Sequence, residues 1–588
     1  MASVRRLYLY VVAAIALGLL LEGSVTLFRV VFEAIGVARD PISVYDTPDP
    51  NANKTAVSGA LAMVVVALPV WLIHWGFVER LASRDDAAGA EERASLIRSI
   101  FFAAVLGYAL AIAASDLVSA LRQGLAGPLG THDPASDLGY AVVGVSASMA
   151  PAVTFGLAWA YHAWARARDL RLGPPLVNGA ARAFRLYLYG AALVALGVTL
   201  QALPGIGGTI VDAARGYSPA ATPDGGYTSI VSLPITAAWW VWPLLSSAAT
   251  LAVTLPIWAG HVFYARRLIR STTVRREEAT SRMRLAYLVA VAVVALGAAA
   301  ALAIDALTPF VALVPKATDP SGDPTWRNLA ALALVGLVPV AFFVGARRRA
   351  LAERVGGDAA APDAARIAGY AISAVGLVVL TAGLVTAGSS FIDVARGQTV
   401  DISPISGSRQ WALSQGIAQA IVGFAVWSVA WFGVSRRYLR DVAEESGAPS
   451  RRFYLLAAVG VSLVVGSVGL VTCLDWILQA GFGVSGDGGS DGLSTSFATV
   501  VVAIPVLAYH LLLLRLDSRS QPTAEEEAEA PLPAAPETGL GVTPGLGVTP
   551  APARSVVIVA PPGADLETLV DRLGSWLPAD FRAEVRDA

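Results

Sequence analysis

The chain has 588 residues, 55% hydrophobic and only 15% charged, with a mean hydropathy of +0.60, which is more apolar than a water-solvated surface tolerates. Its formal net charge of -1 lacks the basic excess that neutralises phosphates, so nucleic acid is not an expected partner. A single cysteine, Cys473, excludes a disulfide framework or a thiolate metal site within one chain.

Apolar stretches long enough to cross about 30 Å of hydrocarbon recur along the chain. They lie near 7–28, 57–77, 99–121, 139–162, 185–205, 236–262, 285–309, 328–345, 367–392, 410–433, 453–478 and 494–514, which predicts about twelve transmembrane helices. The first follows Arg5 and Arg6 in the manner of a signal peptide, but no small-residue cleavage site closes it, and its internal copies mark it as a membrane helix.

Arg6-Leu7-Tyr8-Leu9-Tyr10 recurs as Arg185-Leu186-Tyr187-Leu188-Tyr189, and more loosely from Arg284, Arg366 and Arg452, each time opening an odd-numbered helix. The even-numbered partners carry a second pattern: Leu68-Pro69-Val70-Trp71 then His74, and Leu255-Pro256-Ile257-Trp258 then His261. Trp159 and His162 keep that spacing, as do Pro505 and His510, whereas Val344 and Ala430 stand where histidine would fall. The repeat is therefore a helical hairpin occurring six times. Glu33, Asp212 and Asp393 each follow Arg6, Arg185 and Arg366 at one spacing, so alternate hairpins are the most alike. We expect an all-α membrane protein of three four-helix units, residues 1–170, 171–355 and 356–519.

Basic residues concentrate at the N-terminus and between hairpins, Arg347-Arg348-Arg349 and Arg436-Arg437 among them, which predicts cytoplasmic termini in a bacterial inner membrane and hairpins that run parallel. The loops within hairpins are rich in Pro, Gly, Asp and Ser; Gly483–Gly492 lacks the spacing and terminal Glu of a calcium loop and reads as a plain flexible loop. Residues 520–553, acidic and then Pro-rich, with Gly-Leu-Gly-Val-Thr-Pro in tandem from Gly539, form a linker. Residues 554–588 read as a small β-α-β module: Val556–Val559 as a strand, Leu566, Leu569, Val570, Leu573 and Leu577 as one helix face, and Phe581, Ala583 and Val585 as a second strand. So small a piece is expected to dock on the membrane domain or on a partner. Pro561-Pro562-Gly563 is followed by no Gly-Lys-Ser/Thr, so no phosphate site is assigned.

The Arg-x-Tyr opening of the first helix and the Leu-Pro-x-Trp-x-x-His near the exit of the second resemble the bacterial membrane family catalogued as domain of unknown function 5671, in about three tandem copies. The resemblance implies membrane location and architecture; that family brings no catalytic residue with it.

His74, His162, His261 and His510 stand beside Trp71, Trp75, Trp159, Trp258 and Tyr509, which reads either as an aromatic belt at headgroup depth or as paired axial ligands for haem. Glu22, about 16 residues after Arg6, falls deep in the hydrocarbon, with Gln201 aligned to it; such a carboxyl serves either an ion relay or a helix-helix hydrogen bond. No His-Glu-x-x-His, Gly-x-Ser-x-Gly or Walker loop occurs, so no catalytic residue and no metal ligand is assigned and an enzyme is not expected. Three readings remain: a structural, sensory or interaction protein embedded in the bilayer, with a second copy or another membrane protein as partner; a secondary transporter or channel, for which Glu22, Gln201, Thr250, Thr381 and Gln419 form only a scatter; and a haem-binding electron carrier.

Overall fold

The computed structural model describes residues 2–34, 52–126, 134–172, 178–215, 241–270, 281–314, 335–352, 360–396, 409–481, 490–520, 554–560 and 581–587, with 329, 332 and 333. The chain divides into two compact units, Met1–Gln521 and Pro522–Ala588.

The first unit is helical, as hydrocarbon requires of a backbone that must satisfy its own hydrogen bonds. In chain order the helices are α1 (Ala2–Ala34), α2 (Ala52–Ala82), α3 (Ala87–Arg93), α4 (Leu96–Ala126), α5 (Pro134–Leu172), α6 (Asn178–Arg215), α7 (Val241–Arg270), α8 (Arg282–Ala312), α9 (Leu337–Ala352), α10 (Ala360–Ala395), α11 (Arg409–Arg440), α12 (Val442–Gly447), α13 (Pro449–Gly481) and α14 (Ser490–Arg519). Each long helix packs chiefly on its chain neighbour, giving the pairs α1/α2, α4/α5, α6/α7, α8/α9, α10/α11 and α13/α14. Pro69, Pro256 and Pro505 lie inside α2, α7 and α14 without ending them; a membrane helix tolerates the lost hydrogen bond where neighbours re-satisfy the backbone.

Contacts between pairs also repeat. First helix meets last in α1 on α5 and in α10 on α14. The third long helix of one group meets the opening pair of the next, α4 on α6 and α7, and α8 on α10 and α11. Crevices lie at both of these junctions: one of about 850 Å³ between α4, α6 and α7, and one of about 560 Å³ where α8 and α9 meet α10 and α11.

The α10/α11 pair approaches most closely. A Cβ at Gly376 or Gly383 would collide with the backbone of Trp427 or Ala420, and one at Gly416 or Gly423 with that of Ala387 or Leu380. Each helix thus presents two glycines seven residues apart, two turns on one face, to the other, and small residues of this kind let membrane helices pack backbone to backbone.

The expected fold class needs correction in two respects. Where about twelve spans are expected, ten of the described helices are long and apolar enough to cross a membrane. The stretch 139–162 does form a long helix, α5, but Ser146, Ser148, Thr154 and His162 dilute its apolar character, and Ser148, Thr154 and His162 are buried inside the bundle. Within the stretch 328–345, the described residues hold an apolar helical run from Leu337 to Ala346, part of α9. The second correction concerns the C-terminal β-α-β segment, which does not stand: the described residues of the second unit are two parallel strands with no helix among them. These strands, β1 (Arg554–Ala560) and β2 (Phe581–Asp587), pair from Arg554 opposite Phe581 to Ala560 opposite Asp587. The expected helix between Leu566 and Leu577 falls outside the described residues, as do the linker repeat, the Gly483–Gly489 stretch and the loops Arg39–Asn51 and Pro219–Tyr227.

Candidate functional site

The strongest polar feature of the first unit is a buried ionic cluster at the end where one hairpin passes to the next. Its nucleus is Arg98, near the start of α4 and fully buried. Each of its three nitrogens has a partner: Nε donates to Asp169 Oδ2 of α5 at 2.6 Å, Nη1 to the Tyr10 hydroxyl of α1 at 3.0 Å, and Nη2 to Glu79 Oε2 of α2 at 2.8 Å. One guanidinium therefore ties together four helices. Its flat faces lie over Trp75 and Phe102, 5.4 and 5.0 Å from the ring centroids.

The short helix α3 completes the cluster. Asp86 caps it, its side chain accepting from the Gly89 amide at 2.9 Å. Capping aims Glu91 and Glu92 at α1, where Arg6 donates to both at 2.8 Å and the Tyr10 hydroxyl donates to Glu92 at 2.7 Å. The Arg6 guanidinium, by hydrogen bond and charge, holds the exposed Glu91 carboxyl below the usual glutamate range.

The same constellation appears again near the C-terminal end of this unit. Asp441 caps α12 through the Glu444 amide, Arg366 pairs with Glu444 and Glu445, and Tyr370 donates to Glu445. Arg451 then takes the place of Arg98, donating from Nε and Nη2 to the two oxygens of Asp517 at 2.6 and 3.0 Å, with its Nη1 at 3.4 Å from the Tyr370 hydroxyl. Ser435 stands four residues after Trp431, where Glu79 stands four after Trp75, so Arg451 has one carboxylate to bind instead of two and grips it with both nitrogens.

An aromatic cluster lies beside each ionic one. Trp71 stacks on Trp75 at 6.4 Å and 11°, and Trp427 on Trp431 at 6.2 Å and 8°. Trp75 donates to the Tyr161 hydroxyl and Trp431 to that of Tyr509, both at 2.7 Å. His162 and His510 follow those tyrosines and are buried against the tryptophans, at 5.3 and 6.4 Å between centroids. Trp75, His162, Trp431 and His510 are buried in these clusters, whereas Tyr161 and Tyr509 are partly exposed. All four histidines place Nδ1 on the carbonyl four residues back, at 2.7–2.8 Å. On the other nitrogen, His74 meets Tyr8, His261 meets Tyr187 and His510 meets Tyr454 at 3.1–3.4 Å, while the buried His162 Nε2 has no partner among the described residues. No group of three potential metal ligands occurs among the described residues.

Glu22 and Gln201 both lie on exposed faces, of α1 and α6, and neither side chain hydrogen-bonds to a described residue. Thr250 bonds its own helix at the Ser246 carbonyl, and Thr381 its own at Val378. At the opposite end of the third copy, Asp393 is buried between Arg409, at 2.5 Å, and the Ser494 hydroxyl.

Sequence reasoning singled out the tyrosines and histidines and missed the carboxylates that hold Tyr10, Tyr370 and the buried arginines. A signal was present: a Glu-Glu pair whose second member precedes an arginine by six residues occurs as Glu92 and Arg98, Glu278 and Arg284, and Glu445 and Arg451. Asp169 and Asp517 each follow their histidine by seven.

Together, the paired apolar helices and the repeated clamp define a multi-pass helical membrane protein assembled from tandem copies. The chain belongs to the family described as Domain of unknown function (DUF5671), which matches it in three segments, residues 6–147, 185–342 and 366–468. No curated protein and no solved structure matches it.

Proposed function

We propose that this protein is a structural and interaction component of a bacterial inner membrane, three tandem four-helix units with both termini in the cytoplasm. The observation that carries this reading is how its deeply buried charges are used. Arg98, Glu92, Asp169, Arg451, Glu445 and Asp517 bind one another or a tyrosine across helices and are closed to substrate. A relay needs ionisable groups facing a shared polar cavity, and the two crevices at the junctions are lined mainly by apolar residues. The lipid bilayer is the first partner; a second copy or another membrane protein is the next, and the C-terminal segment is a candidate contact for either.

Reconstitution into vesicles carrying a pH-sensitive dye tests this. Proteoliposomes given a pH step should relax at the rate of empty vesicles, and the purified protein should lack a Soret band. Protein-dependent proton flux that Glu22→Gln abolishes would establish the transport reading, and a Soret band lost on replacing His162 and His510 the electron-carrier one. Reporter fusions at Arg276, Gly356 and Ala588 should all report cytoplasm; the same report from Pro219 would invert the topology.

A further inference from the structure

The crevice of about 850 Å³ between α4, α6 and α7 plays no part in the clamp. It begins near Ile100, just past Arg98, and ends at Arg122, four residues before α4 stops. At 1.5 Å per residue this is about 33 Å, close to the thickness of a hydrocarbon core. Its walls are mostly small and apolar, with Gly107 on one side and Gly190 on the other, and Leu186 and Val194 on α6 are 62% and 67% exposed, so it opens sideways. Thr250 and Thr254 lie within it but give their hydrogens to carbonyls of their own helix.

The one charged side chain in the lining is Arg122. Its hydrogen bond goes to the Ser246 hydroxyl on α7, at 2.9 Å, and no carboxylate pairs with it among the described residues. Arg98 and Arg122 are about 36 Å apart along one helix, so if the first lies at one headgroup level the second lies at the other. An apolar channel of bilayer length that ends at a guanidinium with no carboxylate partner among the described residues fits one chemistry. An acyl chain fills the channel, and an anionic headgroup supplies a counter-charge to Arg122, phosphate oxygens suiting the planar guanidinium.

We propose that this crevice binds an anionic phospholipid of the leaflet on the side of the hairpin loops, with one acyl chain along α4 and α6 and the phosphate on Arg122. The lipid completes the junction between the first and second family copies. It goes beyond the scaffold reading, since a transporter could hold the same lipid.

The test is retention of lipid by the full-length protein, released from nanodiscs of equimolar phosphatidylglycerol and phosphatidylcholine and weighed by native mass spectrometry. The wild type should keep one phosphatidylglycerol in preference to phosphatidylcholine. Arg122→Gln should reduce that preference about tenfold while still admitting an acyl chain. Gly107→Leu with Gly190→Leu, where a Cβ meets no atom within 4 Å, should fill the crevice without backbone clash and abolish retention of both lipids; Val194→Trp, at an exposed position, is the independent filling variant. Inorganic phosphate at millimolar concentration should not displace the lipid. Equal retention of the two lipids by the wild type, unchanged retention in both filling variants, or displacement by phosphate alone would each overturn the proposal.

Discussion

Removing the Arg98 guanidinium should loosen the α3 region by about 3 kcal/mol, the lower end of the range for breaking a buried ion pair. The lower end applies because its partners are not wholly stranded. Asp169 keeps a 3.2 Å contact with Arg168, Glu79 keeps Arg168 at 2.6 Å, and Tyr10 keeps Glu92. Arg451→Ala should cost more, about 4–5 kcal/mol, since both bonds to the Asp517 carboxylate come from that one guanidinium. Hydrogen exchange of the amides in 87–98 and 442–451 reads these energies locally, which suits a long chain that need not unfold in one step. Arg98→Ala should speed exchange about a hundredfold, and Arg451→Ala roughly five- to thirtyfold beyond that. The double variant Arg98→Met with Asp169→Leu removes both charges and should recover most of the loss, since a buried pair replaced by apolar groups is often neutral. Acceleration below tenfold in the single variant, or a double variant no better than the single one, would refute the claim that the cluster holds the hairpins together.

Three further outcomes follow from the same geometry. Gly383→Leu should separate α10 from α11 and prevent folding, whereas Gly433→Leu, with open space at its Cβ, should be nearly silent; protease resistance in detergent separates the two. Asp86→Ala removes the α3 cap and should cost about 1 kcal/mol, read as roughly fivefold faster exchange in 89–92. Glu91 has its pKa lowered by Arg6, so the contact contributes above the carboxyl's unfolded pKa and fades as pH falls through the depressed folded value; carbon-detected titration of Glu91 should show a midpoint below that of the same residue in Arg6→Gln, and equal midpoints would remove the contact.

Membrane class and helix pairing were legible because each rests on a local count: apolar residues per stretch, and a motif that recurs. The count of spans was less so: serines and a threonine inside 139–162 carry no local sign that α5 can bury them against neighbours. At the site, Tyr10 and His162 were visible as repeated letters, but their meaning lay in partners far along the chain. Glu92 lies 82 residues from Tyr10, and Asp169 lies 71 from Arg98. Such pairs emerge from sequence only when copies are aligned on both members, and an alignment anchored on aromatic residues passes over a Glu-Glu pair in a connecting segment. For Glu22 the depth along a helix can be counted from sequence, but the face it occupies depends on packing, which puts it on an exposed face of α1.

The middle copy departs from the clamp pattern in its sequence. Counting from its own motif, Val262 stands where Trp75 and Trp431 stand, Arg266 where Glu79 and Ser435 stand, and Leu351 where Asp169 and Asp517 stand, although Glu278, Arg284 and Tyr189 persist. It has therefore kept the glutamate, arginine and tyrosine and lost the aspartate that faces the arginine across the bundle. In the first copy the buried arginine ties α4 to α1, α2 and α5, and in the third Arg451 ties α13 to α14 and α10. The middle copy is held from both sides, by α4 against α6 and α7 and by α8 against α10 and α11. Restoring the aspartate by Leu351→Asp should consequently gain little, while deleting Asp169 or Asp517 from an outer copy should cost several-fold more than any single change at Leu351, a contrast that exchange measured across all three copies of one protein can decide.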